Sequence, residues 1–305
     1  MSSIFLKTIF KKTIPYFPGY HCLCLFLRQL KPRAWQWVNR IPVKPGMVVL
    51  VHSKVGDFYM SHPQRCSIAK KFFWTHGIRE LLQDRITLEL FSDLSKHSDV
   101  ILDIGANSGL FSLVAAKANP NAHIIAFDIL PEAYHILTDN LMLNDLFDKV
   151  EIRLMGLGGK REAFYAPFGH MTSEMPTALS LDSKMTDTTK IRVPIKTFDE
   201  ICYPRFVGKR LCAKIDVEGT EADIFTNGRQ TLQKIKPDII CEVLANSKQV
   251  NIYDQILKEY SYRRFLITNE GLKEFDQINP DHRYKDWFFT TKSDLGVEIK
   301  QFLSA

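Results

Sequence analysis

Apolar residues along this chain fall into short runs that alternate with longer stretches of helical periodicity. In residues 99–128 an apolar run at 100–102 is followed by a glycine turn, by helix-compatible residues at 110–118, and by a second run at 124–127. Short apolar runs bounded by turns are typical of buried strands, and their alternation with helices indicates a parallel sheet. This passage therefore predicts strand, turn, helix and strand.

The same alternation continues toward the end of the chain. Further strands are predicted at 150–156, 211–216, 239–242, 262–268 and 287–291, and helices over 67–94 (with a break near Gly77) and 250–260. Thr197 and Glu200 match the capping box that begins a helix. The segment 167–190 has no such pattern, and a loop of this length in a globular domain is usually functional. We therefore predict an α/β protein with a substrate loop or lid at 167–190.

The turn after the strand at 100–102 contains Gly105, Ala106, Asn107 and Gly109. A glycine permits positive φ and close approach of a ligand, and the amides that begin the next helix favour an anionic group. The spacing G-x-x-x-G differs from the G-x-G-x-x-G of dinucleotide-binding enzymes. These residues are predicted to bind a nucleoside cofactor without a pyrophosphate, while an ordinary structural turn stays open as the alternative.

An acidic residue ends each of the first two strands of this passage. In an open parallel sheet these ends face the ligand crevice. Asp128 is placed to accept hydrogen bonds from both hydroxyls of a ribose, and Asp103 to neutralise a cationic centre. Gly156, which follows the third strand, falls where such folds place an adenine ring, although a glycine at a strand exit serves equally well.

A second motif, K-I-D-V-E-G-T-E at 214–221, follows an apolar strand. With D-I-G-A-N-S-G at 103–109, and in this order and separation, the sequence resembles the FkbM family of S-adenosylmethionine-dependent methyltransferases. The resemblance covers about half of the chain, from about residue 100 to residue 242. At position 128 many relatives carry glutamate where this chain has Asp128, and either carboxylate can hold a ribose.

The resemblance implies a class I, Rossmann-like methyltransferase fold. Its doubly wound sheet would have about seven strands, the last of them antiparallel. The implied cofactor is S-adenosylmethionine, and the implied reaction is O-methylation of a hydroxyl on a sugar, glycan or small natural product. The acceptor is not identified by the residues themselves.

Three carboxylates are predicted to converge near the transferred methyl group. Asp216 ends the fourth strand, Glu218 lies two residues on, and Glu242 ends the neighbouring strand. They are expected to bind substrate hydroxyls, to hold a cationic sulfur (Asp216 counting also as a cofactor residue), or to act as general base. His170 in the unpatterned loop is a further candidate base. Carboxylates can also hold Mg²⁺, but nothing in the spacing requires it, and we expect no metal.

Charge divides the chain of 305 residues unevenly. Residues 1–99 hold 15 Lys and Arg against 6 Asp and Glu, whereas the rest holds 25 against 28, and no acidic residue precedes Asp57. We predict a basic N-terminal extension or substrate-side lobe at 1–98 and a cofactor-binding domain at 99–305. A basic lobe suggests an anionic partner such as a membrane surface or a polyanion, and a solvated basic face is the alternative.

Composition narrows the class of protein further. Hydrophobic residues make up 45% of the chain and charged residues 24%, which is typical of a globular protein. The longest apolar run near the N-terminus, 22–27, is far below the roughly 20 residues that span a bilayer. We expect a cytoplasmic protein with reduced thiols that touches a membrane at most peripherally, and no nucleic-acid partner. A nucleotide-cofactor oxidoreductase and a non-catalytic membrane- or polyanion-binding protein remain the alternative functions.

Overall fold

Strands and helices follow one another along the chain much as the apolar pattern predicts. The computed structural model describes residues 13–29, 41–77, 82–159, 163–167, 190–245, 247 and 249–304. The chain divides into two units. The first comprises residues 1–80 and 171–175, and the second comprises residues 81–170 and 176–305. The predicted functional boundary after residue 98 stays a prediction.

The described residues of the smaller unit form a short 3-10 helix (Ile14–Tyr16), two α-helices and a β-hairpin: α1 (Tyr20–Gln29), β1 (Val48–Val51), β2 (Phe58–Ser61) and α2 (Ser67–Trp74). The side chains of the hairpin alternate between buried and exposed, as expected for strands with one covered face. Helix α2 begins after Cys66, whose Sγ accepts a hydrogen bond from the backbone N–H of Ala69 at 3.3 Å. The helix predicted over 67–94 is interrupted near Gly77, which has a φ of +79°.

The larger unit is built around a sheet whose strands alternate with helices. In chain order its elements are α3 (Leu82–Lys96), β3 (Val100–Ile104), α4 (Leu110–Ala118), β4 (His123–Asp128), α5 (Pro131–Leu143), β5 (Val150–Leu154), β6 (Gly156–Leu157), β7 (Ala163–Pro167), β8 (Lys190–Lys196), α6 (Phe198–Cys202), β9 (Leu211–Ile215), α7 (Glu221–Thr226), β10 (Asp238–Glu242), α8 (Val250–Glu259), β11 (Arg263–Thr268), β12 (Gly271–Phe275), β13 (Asp286–Thr290) and α9 (Gly296–Lys300).

The main sheet has the strand order β12-β11-β13-β10-β9-β3-β4-β5. Strands β5, β4, β3, β9 and β10 are parallel, whereas β13 is antiparallel to both of its neighbours. From β3 the chain winds outward to β5 and then returns to β9 on the other side, so the switch in winding lies between β3 and β9. Ligands of such sheets bind at the strand ends beside this switch. The predicted doubly wound sheet with an antiparallel last strand is confirmed.

The described part of the sheet has eight strands rather than about seven. The additional edge strand, β12, pairs with β11 in a hairpin and begins at Gly271, whose φ is +119°. Its sequence, G-L-K-E-F, carries two charges and is half exposed. It therefore lacks the apolar run by which the central strands were recognised.

The central strands are buried along their whole length, which explains their continuous apolar runs. Every residue of β3 and of β9 is buried, as expected for parallel strands covered on both faces. Among the described residues, no helix is long and apolar enough to cross a bilayer.

A small second sheet, in the order β6-β8-β7, extends from the end of β5. After β8 the chain enters α6 through the predicted capping box. The Thr197 hydroxyl accepts from the Glu200 N–H at 3.1 Å, and the Glu200 carboxylate accepts from the Thr197 N–H at 2.8 Å. The capping box is therefore confirmed.

Candidate active site

The predicted site residues gather at the carboxyl ends of β3, β4, β9 and β10. This edge flanks the switch point between β3 and β9 and carries the loop 105–109 after β3. Two regions can be distinguished there: the glycine loop (residues 105–109 with Asp128) and the carboxylate edge (Asp216, Glu218 and Glu242).

The glycine loop is fixed by backbone contacts. Gly105 and Gly109 both have a φ of +82°, and Asn107 has one of +51°. The N–H groups of Gly105 and Ala106 both donate to the carbonyl of Phe127 at 2.9 Å, which ties the loop to β4. These hydrogen bonds hold the beginning of the loop against the end of β4.

Both the backbone conformation at position 105 and the close packing of a neighbouring backbone favour glycine there. A Cβ at this position would lie 1.9 Å from the carbonyl oxygen of Asp216, which is well inside van der Waals contact. At Gly109 a Cβ would lie 2.1 Å from Cδ1 of Leu137. The positive φ that the sequence indicates is confirmed, the backbone of Asp216 lies close to Gly105, and the close approach of a ligand stays a prediction.

Two backbone N–H groups hold the carboxylate of Asp128 at the end of β4. Asn107 N–H donates to Oδ2 and Leu130 N–H to Oδ1, each at 2.8 Å. Burial raises the pKa of Asp128 to about 6, against the opposing effect of these hydrogen bonds. An ionised carboxylate has about four lone-pair sites. Asp128 therefore keeps unused acceptor capacity for a hydroxyl group at neutral pH, even with the further backbone hydrogen bond from Ile129.

Asp103 lies inside the protein beneath the glycine loop. It is 2% exposed, and its Oδ2 accepts a hydrogen bond from the Ser112 hydroxyl at 2.6 Å. Burial raises the pKa of Asp103 to about 6, opposed by that hydrogen bond and by the charge of Lys214. Any influence of Asp103 on a bound cation would act through its charge, because its carboxylate faces protein.

The structure brings the three predicted carboxylates of the edge together. Asp216, Glu218 and Glu242 each offer an oxygen, and these oxygens lie within 4.8 Å of one another. All three side chains are partly exposed. Glu218 has a φ of +56°, a conformation that costs a residue other than glycine about 1 kcal/mol and is often found at functional sites.

Crowding of like charges shifts the titration of this edge. Burial, followed by repulsion from Asp216, raises the pKa of Glu218 to about 6 and that of Glu242 to about 8. A carboxylate with a pKa near neutrality is suited to accept a proton from a substrate. At pH 7 Glu218 is therefore mostly ionised and Glu242 mostly protonated, and Glu242 gains the ability to accept a proton as the pH rises toward 8.

Lys214, which the sequence interpretation did not assign to the site, lies buried behind this edge. Its side chain is 3% exposed, and its Nζ lies 3.5 Å from Oδ2 of Asp216 and 3.6 Å from Oδ1 of Asp286. The hydroxyl of Thr87 donates to Oδ2 of Asp286 at 2.8 Å. A lysine inside an apolar strand is rarely buried without partners, so its position in the sequence was a signal for this cluster.

A divalent cation could in principle be held by the three edge carboxylates, because oxygen ligands suit Mg²⁺. The buried ammonium of Lys214 already supplies positive charge beside Asp216. The expectation of a metal-free site stays a prediction.

The remaining candidates are distributed as follows. Glu221 begins α7, is 1% exposed, and accepts a hydrogen bond from the Gly219 N–H at 3.0 Å, which fits its interpretation as helix N-terminal charge. Gly156 is buried in β6 and pairs with Ile195 of β8, and its contact with an adenine ring stays a prediction. His170 lies outside the described residues.

Comparisons with curated proteins identify short methyltransferase segments. The chain is 46% identical over 57 residues to methyltransferase sdnD of Sordaria araneosa, covering 19% of this chain and 22% of that protein. It is 33% identical over 72 residues to the ribosomal protein L11 methyltransferase of Pelobacter propionicus, covering 22% and 23%. The chain thus spans less than a quarter of the length of these relatives.

Among solved structures, the chain is similar to the methyltransferase FkbM from Methylobacillus flagellatus. The two are 15% identical with a TM-score of 0.43, over 71% of this chain and 49% of that one. The model of the methyltransferase FkbM domain matches residues 103–264, more than half of the sequence, and includes both motifs at the sheet edge. The chain therefore belongs to the FkbM family of S-adenosylmethionine-dependent methyltransferases.

Proposed function

We propose that this methyltransferase acts on a hydroxyl group of a sugar, glycan or small natural product. The observation that carries the proposal is the carboxylate edge, where Asp216, Glu218 and Glu242 converge within 4.8 Å. Carboxylates accept hydrogen bonds from hydroxyl groups, and one with a raised pKa can take the hydroxyl proton. The oxidoreductase and the non-catalytic binding protein find no support in the comparisons.

The glycine loop has the chemistry to hold S-adenosylmethionine. Besides the unused acceptor capacity of Asp128, Asn107 Oδ1 and Ser108 Oγ are buried polar atoms without a hydrogen-bond partner in the structure. We assign Asp103, Gly105, Ala106, Asn107, Gly109, Asp128, Gly156 and Asp216 to this cofactor. When bound, it supplies an electrophilic methyl group carried on a positively charged sulfur.

The three carboxylates of the edge have different proposed roles in methyl transfer. Glu242 takes the proton from the acceptor hydroxyl in its ionised form, which grows as the pH rises toward its pKa of about 8. The carboxylates of Asp216 and Glu218 orient the acceptor and provide negative charge that favours a cationic sulfur. His170 stays a second proposed base.

The class of acceptor can be tested by measuring transfer of a labelled methyl group from S-adenosylmethionine to matched pairs of compounds. Each pair consists of a methyl glycoside and the same glycoside with one hydroxyl replaced by an amine. We expect label on oxygen, and its loss in Glu242→Gln. Transfer to the amines with no transfer to any hydroxyl would contradict the proposal.

We also propose that the basic N-terminal region contacts an anionic membrane surface peripherally from the cytoplasmic side. Its excess of positive charge supports this, as do the exposed side chains of Tyr16, Phe17, Leu23 and Phe26 in and before α1. Apolar and basic residues together favour binding at the membrane interface. Sedimentation with phosphatidylserine vesicles should be strong at low salt and weak at high salt. Failure to bind at low salt would exclude membrane contact.

A further inference from the structure

Lys214 is buried beside the proposed catalytic groups, and the roles assigned so far leave it unused. We propose that Lys214 is a positioning residue for methyl transfer, which orients the carboxylate of Asp216 and is itself held by Asp286 and Thr87. The inference rests on the proposed function, since it concerns the negative charge that the carboxylate edge presents to a cationic sulfur.

Strand geometry places this lysine directly behind the edge. Lys214 and Asp216 are two residues apart at the end of β9, so their side chains project from the same face of the sheet. The ammonium lies 3.5 Å from Asp216 and 3.6 Å from Asp286, and it donates to the carbonyl of Ile215 at 3.4 Å. One cation thus contacts two carboxylates that belong to different strands.

The second carboxylate is fixed independently of the lysine. Oδ1 of Asp286 faces Lys214, and Oδ2 accepts the hydrogen bond of Thr87 from α3 at 2.8 Å. The ring of Phe111 from α4 lies 5.4 Å from the ammonium and covers another side. Asp286 and Thr87 therefore restrict where the ammonium can lie, and the ammonium in turn restricts Asp216.

Within the described residues of this cluster, Lys214 carries the only buried ammonium group, and it is surrounded by acidic side chains. The ionisable groups that face it are Asp103, Asp216, Cys241, Glu242 and Asp286. Glu218 and Glu221 also interact electrostatically with Lys214, while Asp84 acts on Asp286 and Lys285 acts on Glu218 and Glu242. The attraction of these carboxylates raises the pKa of Lys214 despite its burial, so it remains protonated.

Removing this positive charge should change the pH at which the edge loses its negative charge. A neighbouring cation favours the ionised form of a carboxylate, and its loss raises the carboxylate pKa. Without Lys214 the carboxylates of the edge would take up protons at a higher pH than in the wild type. On acidification, the edge would therefore lose its preference for a cationic ligand over a neutral analogue at a higher pH than the wild type does.

The test is calorimetric titration of the full chain with S-adenosylmethionine and S-adenosylhomocysteine between pH 5.5 and 9. The two ligands differ in the charge on sulfur, so the ratio of their affinities reports the negative charge of the edge. In the wild type we expect a preference for the cationic ligand that declines on acidification. In Lys214→Met its midpoint should move up by about one pH unit, and Lys214→Arg should restore it.

Two further variants keep the result interpretable. Lys292→Met is the matched control, since it removes an ion pair with Asp238 (2.7 Å) at the opposite end of β10. It should leave the midpoint in place. Thr87→Val removes a single hydrogen bond from Asp286 and should move the midpoint in the same direction by a smaller amount. If Lys214→Met does not fold, the midpoint of Thr87→Val tests the role of Lys214 instead.

A folded Lys214→Met variant with the wild-type midpoint would overturn the role of Lys214, as would an equal shift in Lys292→Met. If Lys214→Met does not fold, an unchanged midpoint in Thr87→Val would overturn it instead. A wild type that binds both ligands equally at every pH would contradict the role of Asp216 and Glu218 in favouring a cationic sulfur, whereas a wild type that binds neither ligand would contradict the proposed function itself.

Discussion

The glycine loop and the carboxylate edge lie side by side, yet they are built in different ways. The loop is held by backbone hydrogen bonds between segments close in sequence, such as those from Gly105 and Ala106 to Phe127. The edge is held by charged side chains from distant parts of the chain, with Lys214 bridging Asp216 and Asp286. The proposed cofactor site thus depends largely on segments close in sequence, whereas the proposed acceptor site depends on distant parts of the sheet.

The two regions come close together where the backbone of Gly105 lies against the carbonyl of Asp216. The pairing of β3 with β9, continued by the hydrogen bond from the Asp216 N–H to the Ile104 carbonyl at 2.9 Å, holds the ends of these strands together. Substitutions on either side of this contact should therefore show whether the two regions act separately.

The largest effect is expected for Gly105→Ala. The added Cβ would lie 1.9 Å from the Asp216 carbonyl, and the residue would keep a φ of +82°. Strain and overpacking together should lower the free energy of unfolding by about 4 kcal/mol. Urea denaturation measures this, with Gly208→Ala as control, since Gly208 has a φ of +80° and no atom within 4 Å of its Cβ position. Equal losses in the two variants would show that the contact with Asp216 is unimportant.

Next in size is the effect of Glu242→Gln on methyl transfer. Gln keeps the shape of the side chain but cannot take a proton, so the turnover rate should fall about a hundredfold. Glu274→Gln on β12 removes a carboxylate paired with Arg263 (2.7 Å) and should leave the rate unchanged. A wild-type rate in Glu242→Gln would remove Glu242 as the base.

Asp128→Ala should weaken binding of S-adenosylhomocysteine about thirtyfold, because hydrogen bonds to a charged carboxylate are lost. Since the pKa of Asp128 is raised to about 6, wild-type affinity should also fall as the pH drops below about 6. In Asp128→Asn this pH dependence should be absent. Calorimetry at pH 5 and pH 8 measures both effects, and unaltered affinity in Asp128→Ala would exclude the ribose contact.

The smallest effect concerns stability at the carboxylate edge. The pKa of Glu242 is raised from 4.5 to about 8, so between these values the folded state holds a proton that the unfolded state releases. Stability contributed by this group therefore declines as the pH rises through that window. Glu242→Gln should be more stable than the wild type by about 1 kcal/mol at pH 8 and by less at pH 5. A difference that grows toward pH 5 would contradict this sign.

The sequence was sufficient to predict the parallel strands and the glycine loop, because both depend on local pattern. The run V-I-L-D-I gives β3 directly, and the positive φ of Gly105 follows from its place in the turn. Edge strand β12 was missed because its charged, half-exposed residues carry no apolar run. A local apolar pattern thus predicts a strand that is buried along its whole length, but it does not predict a half-exposed edge strand.

The cluster behind the carboxylate edge could not be derived in the same way. Thr87 and Asp286 are 199 residues apart, and no local pattern connects them. Lys214 was visible as a lysine within a buried strand, but its partners follow only from the order of the strands. The exposure of Asp103 was equally a matter of packing, since Ser112 of α4 covers it.

The most direct test is a paired measurement on Glu242→Gln: affinity for S-adenosylhomocysteine and rate of transfer to a hydroxyl acceptor. We expect affinity within threefold of the wild type and a rate about a hundredfold lower, because Glu242 serves the acceptor and is not among the residues assigned to the cofactor. Loss of affinity together with the rate, or retention of the rate, would contradict the division between the glycine loop and the carboxylate edge.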